Sequence, residues 1–378
     1  MTLLTWIVCA AATAGIFYQL WSAVLVRRFV AGKAHALDQW PTVSVLKPLC
    51  GDEPSLLENL RSFCIQDYPD FQIVFGVHTA DDPAAAVVKA LIAEHPDLDL
   101  RLVVGTAQPQ CGNPKVANLL DMLPSAHNDI LIIADSDMKV GPDYLKAVVA
   151  TLMQPGVGVS TCLYVSHPTE GLWSCLGAMG INHSFLPSVL VGQAIGRVDG
   201  CFGATLAISQ AMLKEIGGLA PLENHLADDY MIGELVRRKG KSIGLVPLLP
   251  TTITDEPKAK TLVSHEVRWG RTLASIDRMG YAGTLVTQAV PLGLLALVVE
   301  GGYFGLFVMM WALAARLLAV RIQESALHLL RQPAWIIVVR DFLTVAVLII
   351  ALSGRTVRWR GSRYRVLRHG ILVSLGKR

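Results

Sequence analysis

Hydrophobic and polar positions divide the chain into stretches with different periodicities. Residues 3–26 run from Leu3 to Val26 without a charge and end in Arg27-Arg28. About 20 apolar residues span a bilayer as a helix, so residues 1–28 are expected to be a transmembrane helix. A secretory signal would carry its basic residues ahead of the apolar run and a small-residue cleavage site behind it; here the basic pair follows. Residues 282–299, 302–315 and 335–352 are similarly apolar, the last broken by Arg340-Asp341. Between these segments, residues 40–270 alternate short apolar runs with amphipathic ones. Buried strands are predicted at 42–46, 71–77, 101–104 and 130–133, and a strand-like stretch at 157–165. Helices are predicted at 54–64, 83–94, 115–123, 142–153 and 230–239, with 241–250 returning to the sheet. Short hydrophobic strands alternating with helices imply an α/β domain whose mostly parallel sheet is covered on both faces.

Residues 168–196 break this alternation, with Leu172, Trp173, Leu176, Met179, Ile181, Phe185, Leu186, Val189 and Leu190 among scattered Gly and Pro. They read either as ordinary core or as a surface at the bilayer that admits a lipid. The pattern 282–299 and 302–320 predicts a helical hairpin turning at Glu300-Gly301-Gly302. A further crossing by 335–352 would carry the basic tail outward, against the positive-inside tendency. Arg340 and Asp341 are costly inside a membrane unless they pair or face protein.

Composition agrees with a membrane-anchored domain. Of 378 residues, 52% are hydrophobic and 17% charged, with mean hydropathy +0.46. That is too apolar for an ordinary soluble chain and too mixed for a pure membrane bundle. Net charge is only +3, but residues 353–378 hold Arg355, Arg358, Arg360, Arg363, Arg365, Arg368, Lys377 and Arg378 with no acid. Beside a membrane segment, anionic lipid headgroups explain this basic tail more cheaply than a nucleic acid. The seven cysteines form no Cys-x-x-Cys pair and read as buried thiols of a reducing compartment. Arg27-Arg28 puts the globular domain on the cytoplasmic side. The expected organisation is an anchor helix at 1–28, a cytoplasmic domain at 40–270, transmembrane or interfacial helices at 271–352 and the basic tail at 353–378.

The chemistry centres on the strand Ile130-Leu131-Ile132-Ile133, which ends in Asp135-Ser136-Asp137. An open α/β sheet binds its ligand at the carboxyl ends of its strands. No Gly-x-Gly-x-x-Gly follows the first strand and no phosphate loop is present, which argues against dinucleotide dehydrogenases and P-loop NTPases. The two carboxylates are the available phosphate site, through a divalent cation that itself takes oxygen ligands. Asp82 before Pro83 reads at minimum as a helix cap, and Asp228 or Asp229 can equally cap the helix they open. Gly200-Cys201-Phe202-Gly203 can bring backbone close to a ligand. Asp52 and Glu53 read as a solvated loop.

Taken in order, Asp81-Asp82-Pro83, Asn113-Pro114-Lys115, Asp135-Ser136-Asp137, Gly200-Cys201-Phe202-Gly203, Asp228-Asp229-Tyr230 and His265-x-x-Arg268-Trp269 resemble the membrane-bound processive-type glycosyltransferases. Within these the chain looks closest to the ceramide glucosyltransferases and to their bacterial relatives that glycosylate hopanoids. The resemblance implies a GT-A fold and inverting transfer of a hexose from a UDP-sugar to a membrane-lipid hydroxyl at the cytoplasmic face of a bacterial inner membrane. It implies Asp81 or Asp82 near the nucleotide, Asp135 and Asp137 at the diphosphate, and Asp137 as ligand of Mg²⁺ or Mn²⁺. Lys115 and His265 join the donor site; Gly200, Cys201, Phe202 and Gly203 line the acceptor. Asp229 is the implied base, with Arg268 and Trp269 at the leaving group and sugar. His265 departs from the usual Gln or Arg, and Asp137 from the Gly common in animal ceramide enzymes. These departures favour a hopanoid acceptor with N-acetylglucosamine over ceramide with glucose. A polysaccharide synthase would need more spanning helices, and a non-catalytic scaffold would not need the aspartates.

Overall fold

A computed structural model describes the chain except residues 1, 34–36, 106–111, 199, 360–361, 368–369 and 377–378. Residues 106–111, Cys111 among them, and Arg360, Arg368, Lys377 and Arg378 of the tail therefore lie outside the described residues. The first helix, α1 (Leu3–Val30), starts at a Thr2 cap and ends in Arg27 and Arg28, cations that suit a helix C-terminus. The domain follows as β1 (Val43–Pro48), α2 (Leu56–Cys64), β2 (Phe71–Val77), α3 (Pro83–Glu94), β3 (Asp99–Val104), α4 (Pro114–Met122), β4 (Ile130–Ala134), α5 (Tyr144–Leu152), β5 (Val157–Thr161) and β6 (Val165–Pro168). Then come α6 (Leu172–Gly180), a π-helical turn (Ile181–Phe185), α7 (Leu186–Ala194), β7 (Thr205–Ser209), α8 (Gln210–Glu215), α9 (Asp228–Arg238), β8 (Ser242–Leu245) and β9 (Thr251–Thr254).

The main sheet has the order β3-β2-β1-β4-β7-β5-β8, and only β7 runs antiparallel to its neighbours. Strand alternation sorts the core into two layers. Val43, Val45, Ile73, Phe75, Ile130 and Ile132 face α2, α3 and α5. Leu46, Val74, Leu131 and Ile133 face α4, α8 and α9. Both faces are thus covered, as the near-continuous apolar strands require.

The stretch 157–165 is two strands, not one. β5 stays in the main sheet, whereas β6 leaves it to pair with β9, Val165 opposite Thr251. The break at 162–164 turns Tyr164 toward the carboxyl ends of the strands. Within residues 168–196 the span Leu172–Ala194 is helical and largely buried, running on through the π turn.

The C-terminal part holds α10 (Ala259–Ile276), α11 (Arg278–Gly283), α12 (Ala289–Glu300), α13 (Tyr303–Ala326) and α14 (Ala334–Leu352). α1, α12 and α13 pack on one another, and the hairpin between the last two turns at Gly301, whose φ of 71° suits glycine. α1, α13 and α14 are each long and apolar enough to cross a membrane, as is the mostly buried α6–α7 segment. Exposed Trp6, Ile7, Phe17, Phe307, Met310 and Trp311 give α1 and α13 apolar outer faces.

α14 behaves differently, packing along α10 and α6. Its Arg340 and Asp341 are buried but paired. Arg316 of α13 donates to Asp341 at 2.8–3.1 Å, to Gln19 Oε1 at 3.0 Å and to the His183 carbonyl of the π turn at 3.2 Å. The basic tail forms a small sheet of its own. β10 (Thr356–Trp359), β11 (Ser362–Val366) and β12 (Leu372–Ser374) form an antiparallel sheet. Val357, Val366 and Leu372 pack on Leu226, and main-chain bonds of 2.8 Å join Leu226 to Gly370 and Leu372 to Asn224. The tail therefore sits on the same side as the catalytic-type domain, which removes the orientation conflict raised by a further crossing of 335–352.

Candidate active site

β4 ends at Ala134, and the chain turns through Asp135-Ser136-Asp137 at the crevice. Asn113 caps α4 by accepting from Lys115 N at 2.9 Å and Val116 N at 3.3 Å, and it ties the cap to the His225 carbonyl through Nδ2. That cap sets Lys115, whose Nζ lies 2.7 Å from Asp135 and 3.6 Å from Asp228. Asp228 and Asp229 open α9, where acidic residues suit the helix dipole. Asp229 accepts from Gly203 N at 2.9 Å and from its own helix at Tyr230 N. A Cβ on Gly203 would stand 3.1 Å from Asp135 Oδ2, 3.5 Å from Asp229 Oδ2 and 3.6 Å from Lys115 Nζ. Glycine is what lets these three groups converge.

Burial and the neighbouring Asp228 push Asp229 up to about 7, against the pull of Lys115. Burial, with Asp135 and Glu53, pushes Asp137 up to about 6. Lys115 is held firmly protonated by Asp135 and Asp228 in spite of its burial. Asp137 also accepts from Thr252 Oγ1 of β9 at 3.0 Å.

Beneath the turn lies a residue the sequence did not single out. Lys47, fully buried at the end of β1, donates to the Asp135 carbonyl at 2.5 Å and sits 3.9 Å over the Phe63 ring. Burial lowers it to about 7 although Asp137, Asp135 and Glu53 oppose that shift. Glu53 is thus no solvated loop residue: its Oε2 is buried without a partner, and its charge reaches both Asp137 and Lys47. The cause is the turn after β1, which folds Glu53 back toward the strand ends.

Among the described residues no three His, Cys, Asp or Glu side chains are grouped to hold a metal by themselves. The donor set nonetheless fits a hard divalent cation. Asp137 and Asp135 supply oxygens, the orphaned Glu53 oxygen marks uncompensated negative charge, and Mg²⁺-type sites commonly use one or two carboxylates and complete the shell with substrate phosphates.

The remaining expected residues fall in two groups. Asp82 caps α3 and accepts from Gly51 N at 2.9 and 3.1 Å, so its carboxylate braces the loop after β1. Asp81 is exposed, its carboxyl held low by a bond to Thr79. Phe202 stacks edge-on with Phe185, which adjoins Tyr164, each pair 5.6 Å apart. Cys201 points into the core beside Gly233 of α9 and not into the crevice. Gly200 lies near the Tyr230 ring.

α10 carries His265, Arg268 and Trp269. His265 Nδ1 lies 3.0 Å from Glu256 Oε1, and its ring is 4.3 Å from that of half-exposed Trp269. Glu256 thereby fixes the ring of His265. Tyr164 lies within electrostatic reach of Asp137, Asp135, Asp229 and Arg268 together, which joins α10 to the carboxylates through one side chain. Position along α10 is fixed from behind: Arg340 forks onto Glu266 at 2.6 and 3.0 Å and onto the Leu176 carbonyl at 3.1 Å. Gly180 lies close against this pair, where a Cβ would meet Glu266 Oε1 at 3.0 Å and the Arg340 guanidinium carbon at 3.1 Å.

Comparison with known proteins agrees with this layout. The family model for glycosyl transferase family 21 matches residues 4–372, nearly the whole chain. The chain belongs to glycosyl transferase family 21. It is 26% identical to ceramide glucosyltransferase 1 of Caenorhabditis elegans over 343 residues, covering 86% of this chain and 72% of that protein. It is 37% identical to the ceramide glucosyltransferase of Komagataella phaffii over 101 residues, 26% of this chain and 20% of that one. The mannosyltransferase PcManGT from Pyrobaculum calidifontis, solved in complex with GDP-Man and Mn²⁺, shares the fold with a TM-score of 0.55 at 19% identity, covering 93% of this chain and 99% of its own. The family 21 protein is accordingly a glycosyltransferase of GT-A-like α/β fold with membrane-type helices.

Proposed function

We propose that the protein transfers a hexose, with inversion, from a UDP-sugar to the hydroxyl of a membrane lipid at the cytoplasmic face of a bacterial inner membrane. The observation that carries this reading is the convergence of Asp229, Asp135 and Lys115 on Gly203, in a domain whose α10 and α14 lead to apolar outer faces. Asp135, Asp137 and Lys115 bind the donor diphosphate, and the exposed Asp81 is the nearer candidate for the nucleotide because Asp82 is committed to Gly51 and α3. A bound Mg²⁺ or Mn²⁺, held by Asp137, would supply charge stabilisation for the leaving diphosphate.

The lipid alcohol is a poor nucleophile. Asp229, with a pKa near 7, is tuned to accept its proton as the oxygen attacks C1 and the bond from C1 to the diphosphate oxygen breaks. Arg268 offers a guanidinium to the departing diphosphate. Trp269, steadied by His265, gives a flat face for the sugar or acceptor. Phe202 and Gly203 line the acceptor side, continued by Phe185 and Tyr164.

Two acceptors are in play. The His265 variant and Asp137 favour a hopanoid alcohol receiving N-acetylglucosamine. The ceramide glucosyltransferase relatives favour ceramide receiving glucose. Purified protein incubated with Mn²⁺, UDP-glucose or UDP-N-acetylglucosamine, and ceramide or bacteriohopanetetrol separates them by product mass. Absence of UDP release with every combination overturns the reading.

A further inference from the structure

The tail sheet and α10 line an open cavity of about 430 Å³, with Ser264, Arg268 and Arg271 from the helix and Thr356, Val357 and Arg363 from the sheet. Among the described residues no acidic side chain is on its wall. Arg271 spends its guanidinium on main-chain carbonyls, those of Thr356 and Ile350, and its Nε is buried without a partner. Gly354 permits this approach, since a Cβ there would meet Arg271 Nη2 at 2.5 Å. Among the described residues no carboxylate pairs with Arg271 or Arg363.

Arg271 and Arg363 give the wall a positive lining, which an anion complements. Guanidinium forks match phosphoryl oxygens in pairs, and hydroxyls such as Ser264 and Thr356 complete such a shell. The volume is that of a small-ligand site, about 300–1,000 Å³. Its position is informative too: Arg271 grips the Ile350 carbonyl, where α14 presents exposed Ile349 and Ile350.

From this we infer that the cavity between α10 and the tail is a phosphate-binding site, with Arg363 as the group the tail contributes. The phosphate comes either from an anionic phospholipid headgroup or from the nucleotide. Only the nucleotide source rests on the glycosyl-transfer reading; binding of a phospholipid stands or falls without it.

Equilibrium binding of short-chain phosphatidylglycerol, and separately of UDP with Mn²⁺, to the full chain in neutral detergent tests the site. R363Q is expected to weaken one of the two by about tenfold, the loss of one charge-assisted bond, and R363K to recover part of it, because lysine restores charge without the fork. Loss confined to phosphatidylglycerol identifies the headgroup; loss confined to UDP identifies the nucleotide. K241Q removes one charge from the exposed Lys241 at the start of β8 and should leave both unchanged. If R363Q stays within twofold of the wild type for both ligands, or K241Q falls as far as R363Q, the site is overturned. Should R363Q prove unstable, S264A carries the same comparison.

Discussion

The protein holds two clusters of buried charge built on opposite rules. On the membrane side, Arg316 faces Asp341 and Arg340 faces Glu266, each cation matched by a carboxylate and by a carbonyl or amide oxygen. In the crevice, Asp135, Asp137, Asp228, Asp229 and Glu53 confront Lys47 and Lys115. The first cluster is charge-matched, with Arg340 Nε its one buried atom without a partner among the described residues, and matched charge is how burial serves architecture. The second has surplus negative charge, raised carboxylate pKa values and an orphaned oxygen, which is how buried charge waits for a ligand. α10 connects them, because Glu266 belongs to the first while Arg268 reaches toward the second.

The contrast is broken most severely in the crevice. D229N is expected to lower turnover by about 10²–10⁴, the worth of a positioned base, while UDP binding survives. The same variant should melt no lower than the wild type, and higher above neutral pH. Its pKa is raised from 3.8 to about 7, so protonated Asp229 contributes stability fully below about pH 4, and this is lost as pH rises through about 7. Asparagine stays neutral and escapes that loss. A sharp drop in melting temperature would make Asp229 architectural instead.

On the membrane side the signs reverse. R340M or E266Q alone should destabilise by about 3–5 kcal/mol, because each strands a buried charge, and thermal unfolding in detergent would register it. R340M with E266L should recover most of the stability, yet leave α10 without its fork. If catalysis recovers as fully as stability, the pair does not position α10.

A smaller effect probes the hydrogen bond to Asp137. T252V should weaken Mn²⁺ dependence of turnover by about tenfold or more, the usual loss when a ligand's supporting partner is removed. Unchanged Mn²⁺ titration would separate Thr252 from the metal. The mildest test is pH: turnover should rise about tenfold between pH 6 and 8 as Asp229 loses its proton near 7. A flat profile in the wild type, or an equal slope in residual D229N activity, removes Asp229 as the titrating base.

Much of this was legible before the fold. The strands ending at Pro48, Val77 and Ala134 announce themselves as apolar runs, since strands buried on both faces have no polar side to show, whereas the edge strand ending at Val104 is only half-buried. α3 begins at Pro83 as the Asp82 cap requires. The motif aspartates were visible because they stand at strand and helix ends, where the apolar runs stop. Other members of the site were silent. Lys47 looked like a strand terminator, Glu53 like a surface acid, and Tyr164 like the continuation of a strand. Each acquires meaning only from a neighbour far along the chain: Asp135, Asp137 and Arg268 respectively.

The sequence by itself determined the elements, the apolar anchor segments and the order of acidic motifs, because periodicity, capping and charge act over a few residues. Tertiary structure alone decided which charges are paired. Arg340 and Asp341 read alike as awkward interruptions of one helix, yet they face different partners, Glu266 on α10 and Arg316 on α13. It also decided that the basic tail folds back beside Leu226 and Arg271. Electrostatic energy depends on distance in space, and the chain carries no local record of residues brought together from a hundred positions away.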